Sequence, residues 1–346
     1  MNRVKEVVKE VSRKIGEMER KRKEMVKALR AIKDVDFRIG GLTKEKVINQ
    51  VEKVEVSGKI CGIDGGLQVR SFHGIDIIVV RAVGVCIEYE QSKVRSVKYY
   101  QPKAPKVISA ETTSDAELIF LSSIYRMIEE IERACEVLEA ESPDYLLLDG
   151  PVYPHPSIVA AKTVYPELYR KVIDLYNRLV EKGKWRVVGV VEDSRSKYLS
   201  RVLKEKIIPT LEEPYRKLFP QNIHEFRDTS LLFGALKKGE RTFTFKVNGV
   251  RDVNYAQKVF AFYLKTAAYD RPVRVEFSSE MPGDVVDNIA SIVYSLSSFS
   301  TYGIPSVLIE ADARAHLSNY YMSYIERLLS SSTPLLMALR RESRPV

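Results

Sequence analysis

The sequence predicts an α/β protein in which helices flank a mixed five-stranded sheet, with a long helix before the sheet and an inserted α/β region late in the chain. Two observations predict this class. Apolar runs rich in Val and Ile, typical of buried strands, recur between residues 59 and 310. Between them lie stretches whose apolar residues are spaced three and four apart, as in amphipathic helices. A chain of 346 residues is long enough for one large elaborated domain or two ordinary ones.

The composition indicates a basic, cytoplasmic protein. Lys and Arg number 55 against 46 Asp and Glu, and the net charge of +9 is compatible with a polyanionic partner. Cys61, Cys86 and Cys135 lie in apolar runs without metal-like spacing, so we expect reduced core residues and neither a disulfide nor a zinc site. No apolar run approaches the ~18 residues of a membrane span, and the N-terminus is too charged for a signal peptide.

The first element is a long charged helix, predicted over residues 1–33 within an N-terminal segment 1–45. Its apolar residues alternate at spacings of four and three, which is a heptad stripe. They are Val4, Val8, Val11, Ile15, Met18, Met25, Leu29 and Ile32. The stripe either packs along its own domain or pairs with another chain, so the segment serves assembly or partner docking.

The elements after this helix alternate in a defined order. Three strands separated by short polar turns predict an antiparallel meander, and a helix, a strand, a helix and a strand follow. These elements are predicted at residues 59–63, 75–88, 94–100, 114–141, 145–148, 166–182 and 185–191. A segment with three prolines then interrupts the pattern, and we interpret residues 205–269 as an insertion, a possible dimerisation or DNA-channel element. The last elements are a strand, a helix, a strand and a helix, predicted at 273–277, 284–298, 306–310 and 313–336.

Two predicted strands end in a carboxylate followed by glycine. Asp64 follows an apolar strand and precedes Gly65 and Gly66, and Asp149 precedes Gly150 in the same way. Asp-Gly alone is also an ordinary turn. Because two such strands would deliver carboxylates to one sheet edge, the pair predicts a metal site.

The order of elements is that of the ribonuclease H-like fold, with a core predicted at residues 55–204 and 270–336. In that fold the first strand, the fourth strand and the start of the intervening helix each supply an acid. Two-metal phosphodiester hydrolysis needs several oxygen ligands close together. The helix offers Glu117 and Glu130, 13 residues or roughly 20 Å apart. We favour Glu117, because the helix should begin near the sheet edge that holds Asp64, although Ser114 and Glu117 also form a capping box.

Further charged residues follow the strand that ends near residue 191. Asp193 lies one step past it and could ligate a metal. Arg195, Lys197, Tyr198 and Arg201 follow, and such a basic helix would bind DNA phosphates, with Tyr198 stacking a base. The alternatives are a solvated helix face and, for Tyr198, a place in the core.

A late acidic and imidazole cluster opens the last predicted helix. Asp312 and His316 follow the predicted strand 306–310. As a neutral imidazole, His316 could ligate manganese, and as a cation it could contact the scissile phosphate. The alternatives are a structural histidine and a helix N-cap at Asp312.

These motifs, in this order, resemble those of the NurA nucleases. The resemblance rests on Gly-Ile-Asp-Gly-Gly at 62–66, Leu-Leu-Leu-Asp-Gly at 146–150, Val-Val-Glu-Asp-Ser-Arg-Ser at 190–196 and Asp-Ala-Arg-Ala-His at 312–316. It covers residues 58 to about 325. It implies a manganese-dependent nuclease, with magnesium as a possible substitute, that cuts single-stranded DNA as an endonuclease and a five-prime exonuclease. It also implies a homodimer that works with the hexameric HerA translocase in DNA end resection.

The resemblance further implies roles for individual residues. Asp64, Asp149, Asp193 and an acidic residue of the helix would bind metal, and His316 would be the late histidine of the site. Two other functions remain open. Sugar kinases and actin-like ATPases begin with a similar strand, but they need a later glycine pair that this sequence lacks. A catalytically inactive DNA-binding subunit of a translocase complex would have no need of carboxylates at strand ends.

Overall fold

The computed structural model describes residues 2–37, 44–72, 74–220, 223, 226–247, 249–299 and 301–332. The chain folds into two compact units, each made of several segments. The first unit comprises Met1–Val54, Val190–Val247 and Lys258–Pro305, and the second comprises Glu55–Gly189, Asn248–Gln257 and Ser306–Val346. The nuclease core predicted at 55–204 and 270–336 therefore has residues in both units, and its boundaries and those of the insertion remain predictions.

The helices of the described residues are α1 (Asn2–Ala31), α2 (Asp115–Glu141), α3 (Ala161–Val164), α4 (Pro166–Gly183), α5 (Tyr198–Val202), α6 (Glu213–Arg216), α7 (Asp228–Ala235), α8 (Pro282–Ser297), α9 (Ser306–Ala315) and α10 (Asn319–Ser332). The strands are β1 (Asp36–Phe37), β2 (Glu45–Lys46), β3 (Ile48–Gln50), β4 (Gly58–Phe72), β5 (Ile75–Glu90), β6 (Lys93–Tyr100), β7 (Lys106–Ala110), β8 (Tyr145–Asp149), β9 (Val187–Val191), β10 (Glu240–Thr242), β11 (Phe245–Lys246), β12 (Val259–Leu264) and β13 (Val273–Ser278). None of the helices in these ranges is long and apolar enough to cross a bilayer.

The second unit is built on a mixed sheet. Strand β4 pairs antiparallel with β5 along its whole length, and β5 pairs antiparallel with β6 and β7. On its other side β4 pairs in parallel with β8, from Ile60 opposite Tyr145 to Ile63 opposite Leu148. The antiparallel meander predicted at the start of this region is confirmed. The mixed character of the sheet, with parallel and antiparallel pairs, is also confirmed.

Alternating side chains of β5 supply the core on the two sides of this sheet. Ile78 and Val80 pack with Leu118 and Leu121 of α2. The residues between them face the other way, and Ile77 and Val79 pack with residues of α10 and the loop before it. This period of two is what a strand buried on both faces requires. The predicted helix 114–141 is also confirmed as α2, with Ser114 as its N-cap.

Strand β4, which contains the motif Asp64-Gly65-Gly66, is much longer than the sequence predicts. The predicted strand 59–63 continues to Phe72, because β5 is equally long and pairs with it residue by residue. Asp64 is therefore in the interior of β4, opposite Val83, and not at a strand end. Sheet pairing outweighs the turn preference of Asp-Gly here, so the prediction of a strand end at Asp64 is wrong.

Two of the three cysteines are paired. Cys61 on β4 lies directly opposite Cys86 on β5, and the two form a disulfide. Directly opposite residues on antiparallel strands bring their Cα atoms close enough for such a bond, here 4.1 Å. The prediction that all three are reduced is wrong for this pair, whereas Cys135 is free and buried.

The predicted strand 306–310 is also wrong, since these residues begin α9. Its short apolar run fits a buried helix as well as a strand by periodicity. Helix α9 lies directly on β4 where Gly62 and Gly66 have no side chains. A Cβ atom on Gly62 would be 2.3 Å from Val307 Cγ2, and one on Gly66 would be 2.0 Å from the Ala315 carbonyl oxygen. Residues 333–336 of the predicted last helix lie outside the described residues.

The first unit contains a series of paired strands and the N-terminal helix. In this unit β3, β10, β12 and β13 are neighbours in that order, and β11 also pairs with β12. Helix α1 confirms the predicted N-terminal helix, and the C-terminal part of its stripe is buried, with Met25, Leu29 and Ile32 at most 2 % exposed. The stripe residues from Val4 to Met18 are 49–66 % exposed. One end of the stripe thus packs within its own unit, and the other end carries an uncovered apolar face.

Candidate active site

Two aspartates lie side by side in the sheet of the second unit. Asp64 on β4 is 5 % exposed, and its Oδ1 accepts a hydrogen bond from the Gly65 N–H at 2.6 Å. Asp149 is the last residue of β8. Because Ile63 pairs with Leu148 in parallel register, Asp64 and Asp149 are the next residues on neighbouring strands, close enough for the charge of Asp149 to raise the pKa of Asp64. The sequence-based pairing of these two carboxylates therefore has a structural basis.

A third carboxylate, that of Glu130 on α2, contacts the same strand. A Cβ atom on Gly65 would lie only 2.4 Å from Glu130 Oε1, so the missing side chain of Gly65 makes room for the carboxylate. Oε1 is buried and has no hydrogen-bond partner among the described residues. The nearest cation is Arg126, one turn earlier on α2, whose Nε is 3.4 Å from Oε1. A buried carboxylate oxygen without a donor is short of positive charge.

The electrostatics of these groups reflect the same shortage. Burial, and then the negative charges of Asp149 and Asp312, raise the pKa of Asp64 to about 7, although the Gly65 N–H and Arg126 oppose the rise. Burial raises the pKa of Glu130 to about 8, with smaller contributions from Asp64 and Asp149 and an opposing one from Arg126. Like charges in a poorly solvated place disfavour the ionised form. A divalent cation would relieve that repulsion.

Two cavities of the second unit, each of about 350 Å³, give access to these carboxylates. Glu130 and Asp149 line one of them, together with Arg126 and His155. Asp64, Asp312 and His316 line the other. The structure therefore brings His316, which lies just past the end of α9, to the same cavity as Asp64.

Sequence reasoning missed Arg126 and His155. Arg126 precedes Glu130 by four residues, a spacing that places both on one face of a helix and could have marked them as a pair. His155 follows Asp149 in a proline-rich loop, and its Nδ1 is 2.8 Å from Ser157 Oγ. A loop histidine has no periodic signal, so only the fold brings it to the cavity.

Glu117, the glutamate that the sequence argument favoured, has a different environment. Its Oε2 accepts a hydrogen bond from the Thr113 N–H at 2.7 Å, its Oε1 accepts one from the Tyr165 hydroxyl at 2.5 Å, and its own N–H donates to Ser114 Oγ. The Tyr165 hydroxyl and then Thr113 lower the pKa of Glu117 to about 2. Glu117 thus takes part in the helix cap. The middle of α2, and not its start as the sequence argument assumed, meets β4 at Gly65.

The other predicted site residues belong to the first unit. The Asp193 carboxylate is exposed and forms an ion pair with Arg271 at 2.8 Å. Arg195, Lys197 and Arg201 are exposed. Tyr198 is half-buried, with the guanidinium of Arg274 5.9 Å from its ring centroid. The roles of these residues in binding metal or DNA remain predictions.

The donor set decides whether a metal would fit here. Within the described ranges, no group of three or more His, Cys, Asp and Glu side chains is arranged to hold a metal ion. Alternation along β4 explains this, since Asp64 and Gly66 face α9 whereas Gly65 faces Glu130 on the opposite side. The Oε1 of Glu130, which has no hydrogen-bond donor among the described residues, and the raised pKa values of Asp64 and Glu130 nevertheless fit a hard divalent cation. Crowded carboxylates on an α/β scaffold are typical of metal-dependent phosphoesterases.

Comparison with known proteins agrees with this class. A family model described as the NurA domain matches residues 58–317. The structure of the NurA nuclease from Sulfolobus solfataricus superposes with a TM-score of 0.62 and 16 % sequence identity, covering 96 % of this chain and 97 % of that one. A NurA structure with manganese has a TM-score of 0.56 at 10 % identity, and one bound to dAMP and manganese has 0.52 at 9 %. Each of these two covers 82 % of this chain and 90 % of the other.

The chain belongs to the NurA family, because the family model spans most of its length. The predicted resemblance is confirmed, and the protein is a DNA nuclease of the α/β class. This assignment replaces the kinase-like alternative. Among curated proteins, none matches the chain by sequence.

Proposed function

We propose that the protein is a manganese-dependent deoxyribonuclease that hydrolyses phosphodiester bonds of single-stranded DNA, as an endonuclease and a five-prime exonuclease. The observation that carries this proposal is the crowding of Asp64, Asp149 and Glu130, with the Glu130 Oε1 left without a donor. Structures of NurA proteins determined with manganese, one of them also with dAMP, support the choice of metal and substrate. Magnesium, which prefers the same oxygen ligands, is a possible substitute.

Each residue of the centre has a proposed task. Asp64 and Asp149 would hold the metal from neighbouring strands, and the further candidates are Glu130, which lines a cavity with Asp149, and His316, which lines one with Asp64. Bound divalent ions supply an activated water and stabilise the charge on the phosphate. Arg126 orients Glu130 through their ion pair. His316 is also exposed to solvent, so as a cation it can contact the scissile phosphate.

A ribonuclease H-like core is part of the proposal. The order β8, β4, β5, β6 places the parallel strand beside the first strand of an antiparallel meander, and α2 connects them. The proximity of Asp64 on β4 to Asp149 on β8 follows from this order. Asp193 stays a predicted further ligand. Glu117 stays the predicted helix ligand of the sequence argument, but its cap contacts lead us to propose Glu130.

The proposed cellular role is DNA end resection in the cytoplasm, as a homodimer together with a hexameric HerA-type translocase. The uncovered apolar stripe of α1 supports an assembly of this kind, because exposed Val4, Val8, Val11 and Ile15 need a partner to leave water. The rest of the α1 surface is polar, and a helix cannot bury its own apolar stripe. The stripe is therefore the proposed contact with a second copy of the chain or with the translocase.

Asp64→Asn tests the metal centre. The change keeps the shape of the side chain but removes a charge, so we expect cleavage of labelled single-stranded DNA in the presence of Mn²⁺ to be lost while the fold is kept. Asp149→Asn should behave in the same way. A matched control is Glu136→Gln, since Glu136 is exposed on α2 and forms an ion pair with the neighbouring Arg133. Near wild-type cleavage by Asp64→Asn would show that Asp64 is not part of the metal centre.

A further inference from the structure

A large basic cavity lies wholly within the first unit and has no part in the carboxylate centre. Its volume is about 1210 Å³. We call it the basic cavity, defined by six basic lining side chains, Lys21, Arg22, Arg195, Lys197, Arg227 and Arg271. Pockets for drug-sized molecules hold roughly 300–1,000 Å³. The basic cavity is therefore large enough for an extended ligand of several units.

Most of this positive charge is not neutralised by the protein. Arg22 pairs with Glu19, and Arg271 pairs with Asp193. The other four basic side chains form no ion pair within the part of the chain that the structure describes. The one acidic residue that lines the cavity, Asp270, uses its carboxylate to accept the Arg271 N–H. A concave surface with such an excess of one sign concentrates ligands of the opposite charge.

Aromatic side chains interrupt the basic ones. Tyr269 is 96 % exposed, so its ring is open to solvent, and Phe233 is 40 % exposed. The Lys265 ammonium lies 4.1 Å from the centroid of the Phe233 ring and fixes one face of it. An exposed ring beside unpaired cations matches a ligand that alternates phosphates with flat bases. Single-stranded nucleic acids are bound in this way, whereas a duplex keeps its bases stacked inside.

We propose that the basic cavity binds a segment of single-stranded DNA, with phosphates on Arg195, Lys197 and Arg227 and a base stacked on Tyr269. This inference rests on the proposed function, since it assigns the substrate of the nuclease a second contact away from the carboxylates. It includes Lys21 of α1, so the N-terminal helix contributes to DNA binding as well as to assembly. It leaves Arg201 outside, because Arg201 does not line the cavity.

The experiment measures binding of labelled oligo-dT by fluorescence anisotropy, in EDTA so that no cleavage occurs, over a series of salt concentrations. Each lost phosphate contact on a single strand lowers the salt slope by roughly 0.7, so Arg195→Gln with Lys197→Gln should lower it by about 1.4. Tyr269→Ala should weaken binding roughly 5- to 150-fold without changing the slope. The matched control is Lys206→Gln with Lys246→Gln, two exposed lysines of the same unit outside the cavity, and it should bind as wild type does.

Three outcomes would overturn the proposal. The first is a salt slope for Arg195→Gln with Lys197→Gln equal to that of the control. The second is unchanged affinity in Tyr269→Ala, and the third is equal competition by duplex DNA of the same length. Cleavage by wild type with Mn²⁺ is measured in parallel. If wild type cuts DNA but the cavity variants bind normally, the cavity assignment fails alone, and if wild type neither binds nor cuts DNA, the proposed function fails as well.

Discussion

Replacing Glu130 by Gln separates the two glutamates of α2, because they differ in burial and in partners. Burial first, and then Asp64 and Asp149, raise the pKa of Glu130 from 4.5 to about 8 in the metal-free protein. A group with a raised folded-state pKa contributes its full stability below the unfolded value and loses it as the pH rises through the folded value. Metal-free wild type should therefore lose stability between pH 4.5 and about pH 8.

The size of this loss follows from the rise in pKa. One unit is worth about 1.4 kcal/mol, so a rise from 4.5 to about 8 sets an upper limit of roughly 5 kcal/mol. Gln has the same shape and cannot ionise, so Glu130→Gln should match wild type near the lower end of this range and exceed it at the upper end. Its cleavage activity with Mn²⁺ should fall by about 100-fold or more, since even partners of metal ligands cost 10–100-fold.

The assay is chemical denaturation in EDTA at several pH values, with cleavage of labelled single-stranded DNA measured in parallel. Glu117→Gln is the matched control on the same helix. Its carboxylate is half-buried in the helix cap and its pKa is already low, so between pH 4.5 and about pH 8 the variant should keep the pH dependence of wild type and most of its cleavage activity. The reasoning is refuted if Glu130→Gln loses stability with pH as wild type does, or if Glu117→Gln is the inactive variant.

Two further predictions concern packing and assembly. Gly65→Ala should lower the free energy of unfolding by about 1–3 kcal/mol, because its Cβ would lie 2.4 Å from Glu130 Oε1. It should also weaken Mn²⁺ binding measured by calorimetry, whereas Gly16→Ala, with nothing within 4 Å, should stabilise the protein by roughly 0.5–1 kcal/mol. Equal stability of the two glycine variants would contradict the assigned contact. For assembly, light scattering should find a dimer of the wild type. Val8→Asn with Val11→Asn should weaken this dimer, whereas Arg13→Asn on the polar face of α1 should not. A monomeric wild type at micromolar concentration would exclude a stable dimer.

Local patterns in the sequence predict much of the fold, because local rules determine those parts. The spacing of apolar residues in α2 and Ser114 at its start predict both its length and its cap. The many Val and Ile residues of β5 predict a core strand, which the structure confirms. Local rules fail where a distant partner decides. Strand β4 extends beyond Asp64 because it pairs with the long strand β5. Residues 306–315 can lie on β4 as a helix because its glycines have no side chains.

The site was predictable in part for the same reason. Asp64 and Asp149 follow apolar runs, so their sequence neighbours reveal them, and parallel pairing of β4 with β8 brings them together. Neighbouring apolar runs do not indicate which of Glu117 and Glu130 is the metal ligand. The signature Ser-x-x-Glu at 114–117 indicates a cap and says nothing of metal. Whether Glu130 reaches the site depends on which turn of α2 contacts β4, and the packing of the whole sheet determines that turn.

The segment Asp64-Gly65-Gly66 shows why one short motif can organise a site from two sides. In a strand, successive residues face opposite ways, so the two glycines open two different surfaces of β4. Gly65 admits the Glu130 carboxylate from α2, and Gly66 admits the Ala315 carbonyl at the end of α9, which precedes His316. A side chain at either position would push one helix away from Asp64. The glycines therefore act through close approach of neighbouring elements, and the motif couples the position of Asp64 to Glu130 on one side and to His316 on the other.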